Sequence, residues 1–412
     1  MVMVVFCIVS LATHAALAAT AEKQKIVVGH FHSWVLSDAW NQLVAAFNEK
    51  YPDIEVELLH ALQEEYEAKL KTLIAAGVAP DLFFAGSGPA AELAKLGAVE
   101  DLTPYLERAG MKLPSAEYIL GGIAPPYLSD GKVYALALEA LTRGIYINIE
   151  HYQQAGLNTP GITWTWNEFL ANAQKLTTPG TRWGFAINAT TSFGNLNPVI
   201  HSFGGRWWNE NRTELGFNTS EFEQGVKFIA DLINVYGVTG GNFPNASASM
   251  YPNTPSVNYN FNPNRVPDWR FLPYPRGKQA AGAMSTEGML MMKSSKNKEA
   301  AWKFLEWVFS PEGQRAWAIA NRVIVHIPTL QEYFAPNAGP AARQSLIQTI
   351  VYNNEHRVVD SPLNTAWGPA VRLIEENVRA AFRGEISPRQ AIESAWEACV
   401  AELNMLKAQT GL

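Results

Sequence analysis

Residues 131–157 read GKVYALALEALTRGIYINIEHYQQAGL, an otherwise apolar run that holds an acid and a base. Val133, Ala135 and Ala137 alternate with Tyr134, Leu136 and Leu138, the pattern of a strand buried on both faces. Glu139 and Arg143 interrupt it, and a second strand is expected from Gly144 to Asn148, ahead of a helix closing at Ala155-Gly156-Leu157. An unpaired charge is costly to bury, so a Glu at a strand end is expected at a water-filled cleft. The alternative is that Glu139 and Arg143 do no more than neutralise each other.

Outward from this stretch, strands and helices take turns. Ile26–Gly29 is a short apolar strand, and the loop His30-Phe31-His32-Ser33-Trp34 leads to a helix from Ser37 with Trp40, Leu43, Val44 and Phe47 on one face. Ile54, Val56 and Leu58 alternate with acids in a second strand. A helix carrying Leu70, Leu73 and Ile74 follows, then a strand over 81–85 and a helix that Pro89 opens and Gly97 closes. Alternation at this pace predicts a parallel, doubly wound sheet whose ligand loops lie beyond the carboxyl ends of the strands. Those loops are 30–34, 60–66 and 86–88. Farther on, helices are expected over Trp166–Leu176, Lys298–Phe309, Ala370–Phe382 and Pro388–Leu406, and strands over Arg182–Ile187 and Gly288–Lys293. Phe193–Trp208 is rich in Gly and aromatics, and Gly240–Pro275 reads as a long irregular loop dense in Asn, Pro and Tyr, of the kind that carries function.

At 412 residues the chain is long for one domain, and two lobes of ordinary size fit. A net charge of -6 without a Lys/Arg run excludes a polyanion partner, so no nucleic acid is expected. Val2–Ala12 is apolar but too short to span a bilayer, and Ala16-Leu17-Ala18 has the small residues of a signal-peptidase site, which predicts export with cleavage after Ala18. No lipid anchor is expected at Cys7. Cys399 then remains alone, without a disulfide partner, on a helix face with Ile392, Trp396 and Leu403 where it packs into a core.

The catalytic and cofactor motifs fail in turn. Gly86-Ser87-Gly88-Pro89-Ala90-Ala91 has the glycine spacing of a dinucleotide loop, but no acidic residue follows at the ribose position; a helix N-terminus facing a ligand hydroxyl is the better reading. His30 and His32 form the one close histidine pair, without a Cys or carboxylate at metal spacing, so no metal or other cofactor is expected. The aromatics are more telling. Trp40, Trp302 and Trp396 lie on helix faces as core, whereas Trp34, Trp207, Trp208, Tyr251 and Trp367 lie in loops or at helix starts. Flat rings combined with carboxylate or amide acceptors suit the apolar face and hydroxyl rim of a sugar.

Glu-Ala-Leu before a strand ending in Tyr146 and Asn148, Ala79-Pro80-Asp81 before a strand, Ser295-Lys296-Asn297-Lys298-Glu299-Ala300-Ala301-Trp302, Ser310-Pro311-Glu312-Gly313-Gln314 and the closing helix pair occur in order. In these the chain resembles extracellular solute-binding protein family 1, the periplasmic sugar-binding proteins of ABC transporters, and is similar to its maltose-binding members. The resemblance implies the type II periplasmic-binding-protein fold: two α/β lobes, each a doubly wound, mostly parallel sheet, with a ligand cleft between them. It divides the chain into a leader (1–18), a first lobe (19–138), a second lobe (139–275), a return to the first (276–325) and closing helices that cover the hinge (326–412). It implies a monomer, free in the periplasm, that delivers a mono- or oligosaccharide to membrane permease subunits and makes or breaks no bond. Within the class the alternative is a glycerol phosphate or other anionic solute; outside it, a secreted glycosidase or lyase. The site residues so implied are Glu139 as acceptor for ligand hydroxyls, Arg143 orienting Glu139 or meeting an anion, and Trp367 stacked on a ring. Phe31, His32, Trp34, Tyr66, Ser87, Trp208, Tyr251 and Glu287 stand around them.

Overall fold

The computed structural model describes residues 23–32, 36–61, 63–123, 128–129, 131–255, 261–320, 322–358 and 368–410. The first lobe opens with β1 (Gln24–His30), α1 (Ser37–Lys50), β2 (Ile54–His60), α2 (Gln63–Ala75), β3 (Leu82–Gly86), α3 (Ser87–Lys95) and α4 (Thr103–Arg108). α1 buries Trp40, Leu43 and Phe47 on one stripe and ends ahead of Pro52, which cannot continue a helix. β1 pairs in parallel with β2 and β3, as the alternating pattern requires. α3 starts at Ser87, two residues before Pro89, which falls inside the first turn where its missing N–H is not needed.

A two-stranded ribbon, β4 (Leu128–Ser129) and β5 (Lys132–Val133), precedes β6 (Leu136–Asn148), and here the structure departs from expectation. Glu139 and Arg143 do not break the strand. β6 is a single run of 13 residues because its partners change while the chain does not. It pairs with β10 up to Arg143 and with β8 and β9 from Gly144 onward. At Gly144 a Cβ would lie 2.5 Å from the Leu272 carbonyl oxygen and 2.7 Å from the Phe271 ring, so only glycine lets the two strands approach.

The second lobe contains α5 (Ile149–Gln154), α6 (Trp166–Leu176), β7 (Trp183–Phe185), α7 (Phe193–Ser202), α8 (Ser220–Asn234), β8 (Ala248–Asn253) and β9 (Trp269–Leu272). α6 begins where the capping box of Thr165 and Glu168 satisfies both orphan N–H groups. The segment expected as one irregular loop, 240–275, supplies two strands. Its Pro252 is tolerated in β8 because β7 pairs only with Ala248 and Met250, leaving the Pro beyond that ladder.

The chain returns through β10 (Ala283–Met291) to α9 (Lys298–Phe309), α10 (Pro311–Trp317), β11 (Val323–Ile324) and α11 (Ile327–Tyr333). It continues with α12 (Pro340–Glu355), α13 (Gly368–Phe382) and α14 (Pro388–Thr410). The main sheet runs β2-β1-β3-β10-β6-β8-β7, with β9 and β11 also paired to β6. Because β10 comes back from the second lobe, its ladders with β3 and β6 are antiparallel. Two cores result, one holding Trp40, Phe83, Phe84, Leu290 and Phe304, the other Phe169, Ile200, Phe222, Ile374 and Cys399. α12 ties the crossing together: Thr349 donates to the Phe271 carbonyl at 2.8 Å, and Asn353 donates to Thr142 and to the Arg143 carbonyl, both at 2.8 Å. The chain passes between the two cores within β6 at 143–144, again ahead of β10 at 282–283, and a third time at 356–358, where Gly282 N–H donates to the His356 carbonyl at 2.8 Å. Among the described residues no helix is long and apolar enough to cross a membrane.

Candidate functional site

Strand direction decides where a ligand can sit. β3 and the first half of β6 are both antiparallel to β10, so they run the same way as β1 and β2, toward Arg143. β8 runs against the second half of β6 and ends at Asn253, opposite Gly144; β7 runs with β8. The carboxyl ends of β1, β2 and β3 in the first lobe and of β7, β8 and β9 in the second therefore point toward the 143–144 crossing, where open α/β sheets take their ligands.

On the first-lobe side of this edge lies a charged cluster. Glu139 and Glu287 face each other across the β6–β10 ladder, and the Arg322 guanidinium joins them. Arg322 Nε donates to Glu139 Oε1 at 2.9 Å and its Nη2 to the same oxygen, while Nη2 also reaches Glu287 Oε2 at 3.3 Å. Trp317 Nε1 donates to the other oxygen of Glu139 at 3.1 Å. Trp40 Nε1 donates to His32 Nδ1 at 3.0 Å, which puts the imidazole proton on Nε2, 3.4 Å from Glu139 Oε1. His30 stacks on Trp40, with its ring 5.2 Å from that of His60. Burial, helped by these neighbouring histidines, lowers the His30 imidazole to about 3.

The two carboxyls are driven apart. Burial alone would raise Glu139, but Arg322 and His32 outweigh it and hold the group well below the usual carboxylate range. Burial and the neighbouring Glu139 charge push Glu287 up to about 9. Divergent carboxyls are the pattern of an acid–base pair. Here, however, Glu139 is 0% exposed and both its oxygens are engaged, so no substrate atom can reach it. His32, Glu139 and Glu287 also place their ligand atoms within 4.8 Å of one another, close enough to share a cation, and the Arg322 guanidinium already bonds to both carboxyl groups.

The residues expected at the site are distributed unevenly. Phe31, His32, Glu139 and Glu287 come together, with Phe31 half-buried and stacked on His32. Glu139 lies under the edge rather than in open water, and its partner is Arg322. Arg143 does not touch it: Arg143 Nη1 donates to Asn195 Oδ1 at 2.7 Å. Trp208 is a correction. It is 1% exposed, sealed in the second core where Gly216 lies against its backbone, so it has no face to offer a ligand. Tyr251 is half-buried on Phe243, and Asn253 donates to its hydroxyl. Trp34 and Trp367 lie outside the described residues, as do the side chains of Tyr66 and Ser87. Arg322 and Trp317 are additions. Arg322 stands in AWAIANRVIVHI (316–327), a lone charge inside an apolar run, the same signal that marks Glu139.

Comparison with known proteins agrees with the fold. The pattern that defines the bacterial extracellular solute-binding proteins matches residues 33–315. A putative binding protein of Brucella abortus is 23% identical over 377 residues, 86% of this chain and 87% of that one. The solved sugar-binding protein of Xanthomonas citri superposes with a TM-score of 0.79 at 20% identity, over 93% of this chain and 98% of the other. An ABC substrate-binding protein of Listeria monocytogenes, solved with cycloalternan, gives 0.77 at 21% identity, over 93% and 99%. These likenesses fix the two-lobed, type II periplasmic-binding-protein fold, and the family match covers more than half the chain. The chain belongs to the bacterial extracellular solute-binding protein family.

Proposed function

We propose that this protein captures a carbohydrate between its lobes and hands it to the permease subunits of an ABC importer, acting as an exported monomer and releasing the ligand unchanged. The observation that carries the reading is the convergence of both lobes' strand ends on one crossing lined with fixed hydrogen-bonding groups. Arg322 is 22% exposed and Glu287 is 9% exposed, so each presents an edge above the buried Glu139. Glu287, kept protonated at neutral pH, can donate to a sugar oxygen and accept from a hydroxyl, while Phe31 offers an apolar ring. Similar proteins support the ligand class: the Listeria protein was solved with cycloalternan and a Thermotoga lettingae relative with tagatose. Trp34 and Trp367 are proposed as further ring surfaces.

Glu139 takes a supporting role in this reading, pinning Arg322 rather than meeting the sugar. A thermal-shift screen of mono-, di- and trisaccharides and polyols tests the proposal, because a ligand at 100 times its Kd stabilises by about 2.7 kcal/mol. A stabilising sugar recovered intact after prolonged incubation is expected. Products formed at enzyme-to-sugar ratios well below one would replace it with a glycosidase or lyase.

A further inference from the structure

Among the described residues Arg143 has no acidic partner. Its guanidinium is held by neutral groups of the second lobe. Nη1 donates to Asn195 Oδ1 at 2.7 Å, and the flat of the group rests on Gly194, where a Cβ would lie 2.6 Å from Nη2, 2.7 Å from Cζ and 2.9 Å from Nε. Asn195 is itself fixed, 9% exposed, with its carbonyl accepting from the Tyr274 hydroxyl at 2.7 Å. The arginine is therefore built into position by a glycine that makes room for it, a side-chain amide that orients it and a tyrosine that holds the backbone carbonyl of that same residue.

Its place is the crossing. Arg143 pairs with Ala283 and shares the β6 face of Glu139, four residues or about 13 Å farther along the strand. It thus joins the last first-lobe position of β6 to the first turn of α7, the helix that follows the end of β7. A half-buried cation on that turn is opposed by the helix dipole and by no side-chain cap, since Ser192 makes none. Asn195 and Tyr274 orient the charge without neutralising it. An anion would satisfy it, and the guanidinium fork matches carboxylate and phosphate oxygens in pairs.

We propose that Arg143 recognises an acidic group on the sugar, so that the ligand is a carbohydrate bearing a carboxylate or a phosphate ester rather than a neutral one. This rests on the carbohydrate reading above and narrows it.

Calorimetric titration of matched sets tests it: glucose, glucuronate and glucose 6-phosphate, and the galactose and disaccharide counterparts, at low and at 0.5 M salt. The parent protein is expected to bind one acidic member at least tenfold more tightly than its neutral partner, with the preference reduced by salt. Whether the uronate or the ester wins identifies the acidic group. Arg143→Gln should bring the acid-to-neutral ratio close to one, and Arg143→Lys should recover part of it. Gly194→Ala, which keeps the charge but displaces the guanidinium, should lower the ratio too and stands in if Arg143→Gln fails to fold. A neutral sugar bound as tightly as its acids, or a preference that survives both variants, overturns the acidic ligand while leaving the carbohydrate reading intact. Folded protein that binds no member of any set overturns both.

Discussion

Glu139 shows what a lone charge in an apolar run does and does not reveal. Its exceptional position was legible because an acid among Ala and Leu residues demands a partner. The partner was not: Arg322 is 183 positions away and arrives through β11, while Arg143, four residues off, points to Asn195. Trp208 misled for a related reason, since a ring in a Gly-rich segment gives no sign that the segment folds inward. Removing one member of a buried ion pair leaves the other uncompensated, so Glu139→Ala is expected to lower unfolding stability by about 3–5 kcal/mol. Urea unfolding measures this; an unchanged midpoint and slope would mean that Arg322 is satisfied without it. Glu287 gives a pH signature. Its pKa is raised from an ordinary 4.5 to about 9, so its contribution to stability is complete below about pH 4.5 and is lost as pH climbs through 9. Glu287→Gln removes the titration. Melting temperatures from pH 5 to 9 should fall less steeply in the variant, and parallel curves would contradict the protonated carboxyl.

Among the elements, those with strong periodicity and clean punctuation were readable. Trp166–Leu176 and Lys298–Phe309 begin and end as expected, the first because Thr165 and Glu168 spell a capping box. β8 and β9 were hidden by Asn, Pro and Tyr, residues that signal loops when no partner strand is visible, and α7 by the glycine and the Pro198 within it. β6 was read as two strands because its charges look like breaks, whereas tertiary pairing carries it straight through. Its glycine is the sensitive point. Gly144→Ala drives a methyl into the Leu272 carbonyl and Phe271 ring, and overpacking of this kind costs about 1–3 kcal/mol. Chemical denaturation should show that loss, and a neutral substitution would mean that β9 can move aside. Because the same strand joins the lobes, the variant is also expected to alter sugar affinity.

For the whole molecule, the order of elements along the chain made two α/β lobes and their family legible, because five landmarks in register constrain topology even where single motifs are weak. The edge proposed for the ligand follows from strand direction; its chemistry needed coordinates, since Glu139, Glu287, Arg322 and His32 come from four separate parts of the chain. The account makes the protein a clamp. Its lobes are joined by passages at 143–144, 282–283 and 356–358, braced on one side by α12, and a ligand contacting both lobes draws them together. Small-angle scattering, with and without a saturating sugar identified by thermal shift, tests this most directly. The account predicts a smaller radius of gyration in the bound protein with no change in molecular mass; an unchanged radius at proven saturation would contradict it.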